Sequence, residues 1–262
     1  MNSIIGWVGG KRLLRKVIVP LIPKHNTYCE PFGGAAWILF GKSSDHKNWQ
    51  ISKKHKYREV LNDINGELIN FWRHVKYHPD AFKTEVEQFM ASRELFTEFL
   101  NLKPRTDFER AMVFYYKLAC SFGSLSKTFA VRGHRSMLPI RNGDKLQQAA
   151  ERLKDVVIEK LSFDAVINKY DNSRSFFYID PPYYEHENLY ERDLADCFDE
   201  HEELNQLLKS IKGMWLLSYN DHPYIRELYK GFKIENVETL YSLSGASKPK
   251  TEIIIRNYRE GN

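Results

Sequence analysis

Asp180-Pro181-Pro182-Tyr183 follows directly on the apolar run Phe176-Phe177-Tyr178-Ile179, and Tyr184 extends it with a second tyrosine. Each residue type brings one capacity. A carboxylate accepts hydrogen bonds from an amine. Two successive prolines have fixed φ and no N–H, so they stop a strand and leave the carbonyls of Asp180 and Pro181 without ladder partners. Tyrosine rings offer flat faces. Aromatic and β-branched residues running into an acid spell a buried strand. In an open α/β sheet ligands bind at the strands' carboxyl ends. One carboxylate, two carbonyls and an aromatic face at such an edge suit a planar group with an exocyclic amine, as on a nucleobase. Without that setting the same residues would make an ordinary proline turn covered by tyrosines, so the elements around them decide.

Two glycine stretches precede this corner. Ile4 to Lys11 reads IIGWVGGK. A triphosphate-binding loop would need Gly at Ile5 and Ser or Thr at Arg12, which disfavours a nucleotide triphosphatase. Lys11 opens a helix-like stretch to Val17, and its ammonium can meet a carboxylate. Thr27 to Gly34, TYCEPFGG, is a short strand ending in an acid, then a glycine turn before the apolar helix Ala35–Phe40. That is the opening unit of a doubly wound sheet, and its spacing is not the GxGxxG of a dinucleotide fold. Val60 and Leu61 form a second strand with Asp63 at its end, where an acid accepts bonds from ribose hydroxyls or caps the helix that follows.

Residues 66–155 are predominantly helical, with apolar faces over Ala81–Met90, Arg93–Leu100 and Phe108–Cys120 and breaks at Pro79 and Pro104. His74 and His78 share a helix without a third ligand, so no metal site is expected. Two β-prone runs, Thr128–Val131 and Ser136–Ile140, flank a basic glycine turn and predict a hairpin. Lys117, Ser121, Lys127, Arg132, His134, Arg135 and Arg141 make this region a candidate DNA surface, since a two-stranded ribbon fits the major groove. Sheet signals return at Val156–Ile158 and Leu161–Asp164. After a polar loop over 185–196, long enough for a lid, helices are expected over His201–Ile211 and Tyr224–Tyr229. Strands are expected over Trp215–Ser218, Ile234–Leu240 and Glu252–Tyr258. Residues 242–249 carry Ser, Gly and Lys and can lie against phosphates.

A length of 262 residues with 42% hydrophobic residues supports a large buried core. A net charge of +5 favours an anionic partner, while 28% charged residues of mixed sign argue against a simple polycation. Cys29, Cys120 and Cys197 form no CxxC pair, which suits a reducing cytoplasm without disulfides or zinc. No apolar run approaches the roughly 20 residues of a spanning helix, and no signal segment is evident at the N-terminus.

In order, WVGGK at Trp7–Lys11, EPFGG at Glu30–Gly34, NDIN at Asn62–Asn65, IDPPY at Ile179–Tyr183 and the closing EIIIRNY resemble the Dam-type, D12 class of DNA adenine-N6 methyltransferases over nearly the whole chain. The resemblance implies a Rossmann-like α/β sheet that uses S-adenosylmethionine, with residues 1–65 and 156–262 as the catalytic domain. Residues 66–155 would be an inserted, mainly helical target-recognition lobe carrying the hairpin. It further implies that Trp7 packs on the cofactor and Lys11 neutralises its methionine carboxylate. Glu30, Pro31, Phe32 and Gly33 would form the cofactor pocket together with Phe163, and Asp63 would hold the ribose. Asp180, Pro181, Pro182 and Tyr183 would form the catalytic corner, with Asp180 also bordering the cofactor. Gly33-Gly34-Ala35 departs from the family's more usual alternation of glycine with another small residue. Double-stranded DNA is the expected partner, and a monomer without an obligate protein partner is the default. The rival readings are a methyltransferase acting on cytosine N4, RNA adenine or a glutamine side chain, and a DNA-binding module without catalysis. Asp before the prolines and the basic insert favour adenine in DNA.

Overall fold

The computed structural model describes residues 1–7, 11–130, 143–184, 198–241 and 248–259. Seven strands form one sheet: Thr27–Glu30 (β1), Arg58–Asn62 (β2), Val156–Glu159 (β3), Ser175–Ile179 (β4), Met214–Asn220 (β5), Lys233–Tyr241 (β6) and Lys248–Arg256 (β7). Their order is β3-β2-β1-β4-β5-β7-β6. β1 to β5 pair in parallel, and β7 lies antiparallel between β5 and β6. Parallel strands buried on both faces need apolar residues at every position, which is why β4 reads as an unbroken apolar run. Its alternate residues feed opposite cores: Phe176 and Tyr178 one, Phe177 and Ile179 the other.

The first core takes the buried residues of Arg15–Leu21 (α1), Trp37–Gly41 (α2), Gly66–Tyr77 (α3), Pro79–Gln88 (α4), Arg93–Asn101 (α5), Asp107–Ala119 (α6) and Gly143–Leu153 (α7). The second core takes those of Phe163–Tyr170 (α8), His201–Ser210 (α9) and Pro223–Leu228 (α10). The fold is therefore a Rossmann-like α/β sheet with a core on each face, and α3 to α7 fill the β2–β3 crossover. Trp72 and Phe71 of α3 share one core with Phe82 of α4 and Phe96 of α5, so the helical region packs continuously onto the sheet face.

Two sequence expectations shift. Residues 12–14 form turns and α1 starts at Arg15, which leaves Lys11 ahead of the helix and able to reach the sheet edge. Leu161–Asp164 is not a strand. Phe163, Val166, Ile167 and Tyr170 recur at helical spacing and are buried on α8, so helical burial wins over the short apolar run. Of the expected hairpin, Phe129 bridges to Ser121, and the Ala130 amide donates to the Cys120 carbonyl at 3.0 Å. Val131 and the rest of the hairpin, the 185–196 loop and most of 242–249 lie outside the described residues. Among the described residues no helix is long and apolar enough to cross a membrane.

At the strands' amino ends a buried ion cluster ties the crossover to the sheet. Glu59 on β2 takes the Lys42 ammonium at 2.9 Å and the Arg152 guanidinium at 2.6 Å, and Tyr57 bonds to Lys42. Arg152 also donates to the Leu39 carbonyl at 2.9 Å, fastening α7 to α2. Removing one member of a buried cluster strands the others' charge. Glu59→Gln is expected to cost about 3–5 kcal/mol in urea unfolding, with Lys42 and Arg152 left without their counter-charge.

Candidate active site

The strand order reverses between β1 and β4, and a doubly wound sheet opens a crevice at such a switch point. Both sequence motifs end there. β1 terminates at Glu30 and runs into the glycine turn, while β4 terminates at Ile179 and runs into Asp180.

Asp180 sits at the centre of the proline corner. Lys11 Nζ lies 2.9 Å from its Oδ1, and the Ser218 hydroxyl donates to the same oxygen at 3.0 Å. The parallel register that pairs Ile179 with Leu217 brings Asp180 level with Ser218. Lys11 is 3% exposed and also lies 4.0 Å from Glu252 Oε2 on β7 and 4.4 Å from the centre of the Tyr183 ring. The Tyr183 hydroxyl donates to Glu252 at 2.6 Å. The resemblance assigned Lys11 to a cofactor carboxylate; in the structure its ammonium is buried against Asp180, the carboxylate nearest its position ahead of α1. Burial pushes the Asp180 carboxyl up to about 6, with Lys11 and Ser218 opposing the rise and Glu252 adding to it. Among the described residues no donor occupies the Pro181 carbonyl, whereas the Pro182 carbonyl accepts from Tyr219 at 3.4 Å.

Across the crevice the glycine turn packs tightly. A side chain on Gly33 would meet Leu61 Cδ1 at 2.5 Å and the Asn62 carbonyl at 2.8 Å, while Gly34 holds φ +48° beside Trp7. The Gly34 amide donates to Asp63 Oδ2 at 2.9 Å, and the Asn65 amide to Oδ1 at 2.9 Å. The cap of α3 is Asn65, whose side chain accepts from Glu67 and Leu68, so Asp63 is free of that duty and points toward the turn. Burial raises the Asp63 carboxyl, and its amide bonds oppose the rise. Phe32 stacks on Phe163 at 5.6 Å, with Phe198 edge-on to both. Asn62 bridges the Pro31 and Leu161 carbonyls at 2.8 and 3.0 Å and accepts from the Leu161 amide at 2.8 Å, so one side chain sets the spacing of both loops. Glu30 is 1% exposed and accepts from Tyr28 and the Leu39 amide at 2.7 and 2.6 Å; burial pushes its carboxyl up to about 8. An acid beside a backbone turn and a group of aromatic faces match a ribose and its base, so the donor set fits a nucleoside-bearing cofactor such as S-adenosylmethionine.

The expected DNA-contacting residues are placed unevenly. Lys117 lies half-buried in the last turn of α6, and Lys127 is exposed. Ser121 is 1% exposed: its hydroxyl donates to the Leu118 carbonyl and accepts from the Ser126 amide, so it holds a turn instead of facing a partner. Arg132, His134, Arg135 and Arg141 lie outside the described residues. His74 and His78 pack on one another, and among the described residues no group of three or more His, Cys, Asp or Glu is arranged to hold a metal ion.

Residues not anticipated as part of the site are Ser218, Tyr219, Asn220, Glu252, Phe198 and Asn62. Phe198 carried no signal and Asn62 only its place in NDIN; the signal for the others was a run of three polar-capable residues ending an apolar strand, WLLSYN, and a single acid opening the apolar end of β7. Both become meaningful once register places them beside Asp180. The Asp180 carboxyl is expected to titrate near pH 6 by carbon NMR. Lys11→Met, which removes the charge favouring its ionised form, should move that titration to higher pH.

The D12 class N6 adenine-specific DNA methyltransferase family matches residues 7–243. The chain is 30% identical to the type II methyltransferase M1.LlaDCHI of Lactococcus lactis subsp. cremoris, across 96% of this chain and 94% of that one. It is 26% identical to the type II methyltransferase M.CviBI of Paramecium bursaria Chlorella virus NC1A, across 98% and 100% of the two chains. It is also 24% identical to the DNA adenine methylase of Escherichia coli K12, across 99% and 96%. Because the match runs through the glycine turn, the helical crossover and the proline corner alike, the chain belongs to the D12 class of N6 adenine-specific DNA methyltransferases.

Proposed function

We propose that the chain transfers a methyl group from S-adenosylmethionine directly to N6 of an adenine flipped out of a short duplex site of the GATC kind. The observation that carries this reading is the Asp180 corner, with Oδ1 held by Lys11 and Ser218 and the Pro181 carbonyl beside it. Oδ2 and that carbonyl are then two acceptors for one amine.

The N6 lone pair is delocalised into the purine ring, which makes the amine a poor nucleophile. Two hydrogen bonds from N6–H to fixed acceptors favour a pyramidal nitrogen and aim its lone pair out of the ring plane. Bound S-adenosylmethionine supplies the electrophilic methyl. Phe32 and Phe163 would cover its base, Asp63 its ribose, and Trp7 with Gly33 and Gly34 the turn beneath it. Lys11 keeps Asp180 ionised above about pH 6 and so able to accept. Unstacking the target costs a few kcal/mol, and stacking at the partly exposed Tyr183 ring, worth about 1–3 kcal/mol, offsets much of it. Residues 66–155 serve as the target-recognition region in this reading, with Lys117, Lys127 and the basic hairpin toward DNA, and the enzyme acts as a single chain.

Incubation with unmethylated duplex DNA and methyl-labelled S-adenosylmethionine, followed by nucleoside analysis and methylation-sensitive sequencing, tests the product and the site together. Label is expected in N6-methyladenine; label in N4-methylcytosine would overturn the substrate. Asp180→Ala is expected to lose methyl transfer while keeping DNA affinity within a few-fold. Full activity in that variant would sink the mechanism.

A further inference from the structure

Three consecutive residues at the carboxyl end of β5 grip alternate residues of the proline corner. The Ser218 hydroxyl donates to Asp180 Oδ1 at 3.0 Å, the Tyr219 hydroxyl donates to the Pro182 carbonyl at 3.4 Å, and the Asn220 amide donates to the Tyr184 carbonyl at 2.9 Å. Strand alternation makes the grip two-sided. Ser218 lies on the face of Leu216 and Tyr178, whereas Tyr219 lies with Leu217 and Trp215 on the opposite face. Each grip is itself backed. The Tyr178 hydroxyl bonds to Ser218 at 2.9 Å, and His201 Nδ1 bonds to the Tyr219 hydroxyl. The Tyr184 ring stacks on Tyr224 at 4.5 Å and meets His222 and His201.

These contacts act where two prolines have removed the backbone's own means of fixation. No N–H is available at residues 181 and 182 to tie the corner to a neighbouring strand, so its geometry depends on side chains donating to its carbonyls and carboxylate. We propose that Ser218 and Tyr219 are positioning residues for methyl transfer: Ser218 sets the rotation of the Asp180 carboxylate, and Tyr219 sets the direction of the Pro181–Pro182 segment. This rests on Asp180 and the Pro181 carbonyl being the acceptors for the target amine. The polarity is self-consistent when His201 carries its proton on Nδ1 and donates to Tyr219, which leaves the tyrosine proton for Pro182. Tyr183 is held separately through Glu252 and stacks on Tyr219 at 5.9 Å, so β5 and β7 together leave the corner little freedom.

The charged and titratable groups around Asp180 are Lys11 ahead of α1, Glu252 on β7, Glu30 on β1, Tyr178 on β4 and Tyr219 on β5. Of these and the uncharged Ser218, both Lys11 and Ser218 favour the ionised carboxylate, so losing Ser218 moves the Asp180 titration upward.

The test uses the full chain as Ser218→Ala and Tyr219→Phe, both checked by thermal melting and by calorimetric binding of S-adenosylmethionine. Single-turnover methylation of duplex DNA is then followed across pH, and the Asp180 carboxyl is titrated by carbon NMR without substrate. Both variants are expected to lose roughly tenfold to a hundredfold in the rate at saturation, with cofactor affinity within twofold of the parent. Ser218→Ala should also shift the acid limb and the NMR titration upward, and Tyr219→Phe should shift neither. Rates within twofold of the parent, with the Ser218→Ala titration unmoved, would overturn the inference while leaving the methylation reading intact. Absence of adenine methylation by the parent would instead remove that reading, and the NMR titration would still report whether Ser218 governs Asp180.

Discussion

Lys11 and Asp180 meet in a pocket where the ammonium is 3% and the carboxylate 18% exposed, at 2.9 Å. Bringing two such charges together out of water is costly unless further bonds satisfy them. Here Ser218 completes the carboxylate, and Glu252 with the Tyr183 ring surrounds the ammonium. The pair joins the chain's first segment to the end of β4 and, through its neighbours, to β5 and β7. It also explains why the carboxyl is raised only to about 6: burial alone would hold it neutral, and Lys11 draws it back into the range where it is ionised at neutral pH.

The site is built from short loops locked by single side chains. Asn62 spans the loops after β1 and β3, Asp63 ties the glycine turn to β2, and Asn65 caps α3. The glycine turn can come this close to Leu61 and Trp7 only because it has no side chains there. These contacts lie at the strands' carboxyl ends, while the Glu59 ion cluster lies at the opposite ends and fastens α2 and α7. Leu39 connects the two, its amide on Glu30 and its carbonyl on Arg152. The ion cluster and the candidate site are thus separated along the sheet, with α2 gripped from both sides.

Much of this was legible in the residues. β4 announced itself because a strand buried on both faces has no polar position, and the two prolines marked its end unambiguously. The glycine turn and Asp63 were found for similar local reasons, and the order of motifs carried the family. Helix α8 was hidden because Leu161 and Phe163 alternate like strand residues, and the helical spacing of Phe163, Val166, Ile167 and Tyr170 shows only over the longer segment. Ser121 looked like surface because serine carries no statement of its own depth; packing put its hydroxyl inside a turn.

Sequence by itself determined the sheet class, the acid at the end of β4, the rigidity of the corner behind it and the glycine turn opposite, because each depends on neighbours along the chain. Only tertiary structure decided which groups touch that acid. Lys11, Ser218 and Glu252 are distant from Asp180 in sequence, and their meeting depends on the strand order β1-β4-β5-β7 and on a register that sets Asp180 level with Ser218. Hydrogen-bond partners across a sheet are set by strand pairing, and strand pairing is a property of the folded chain.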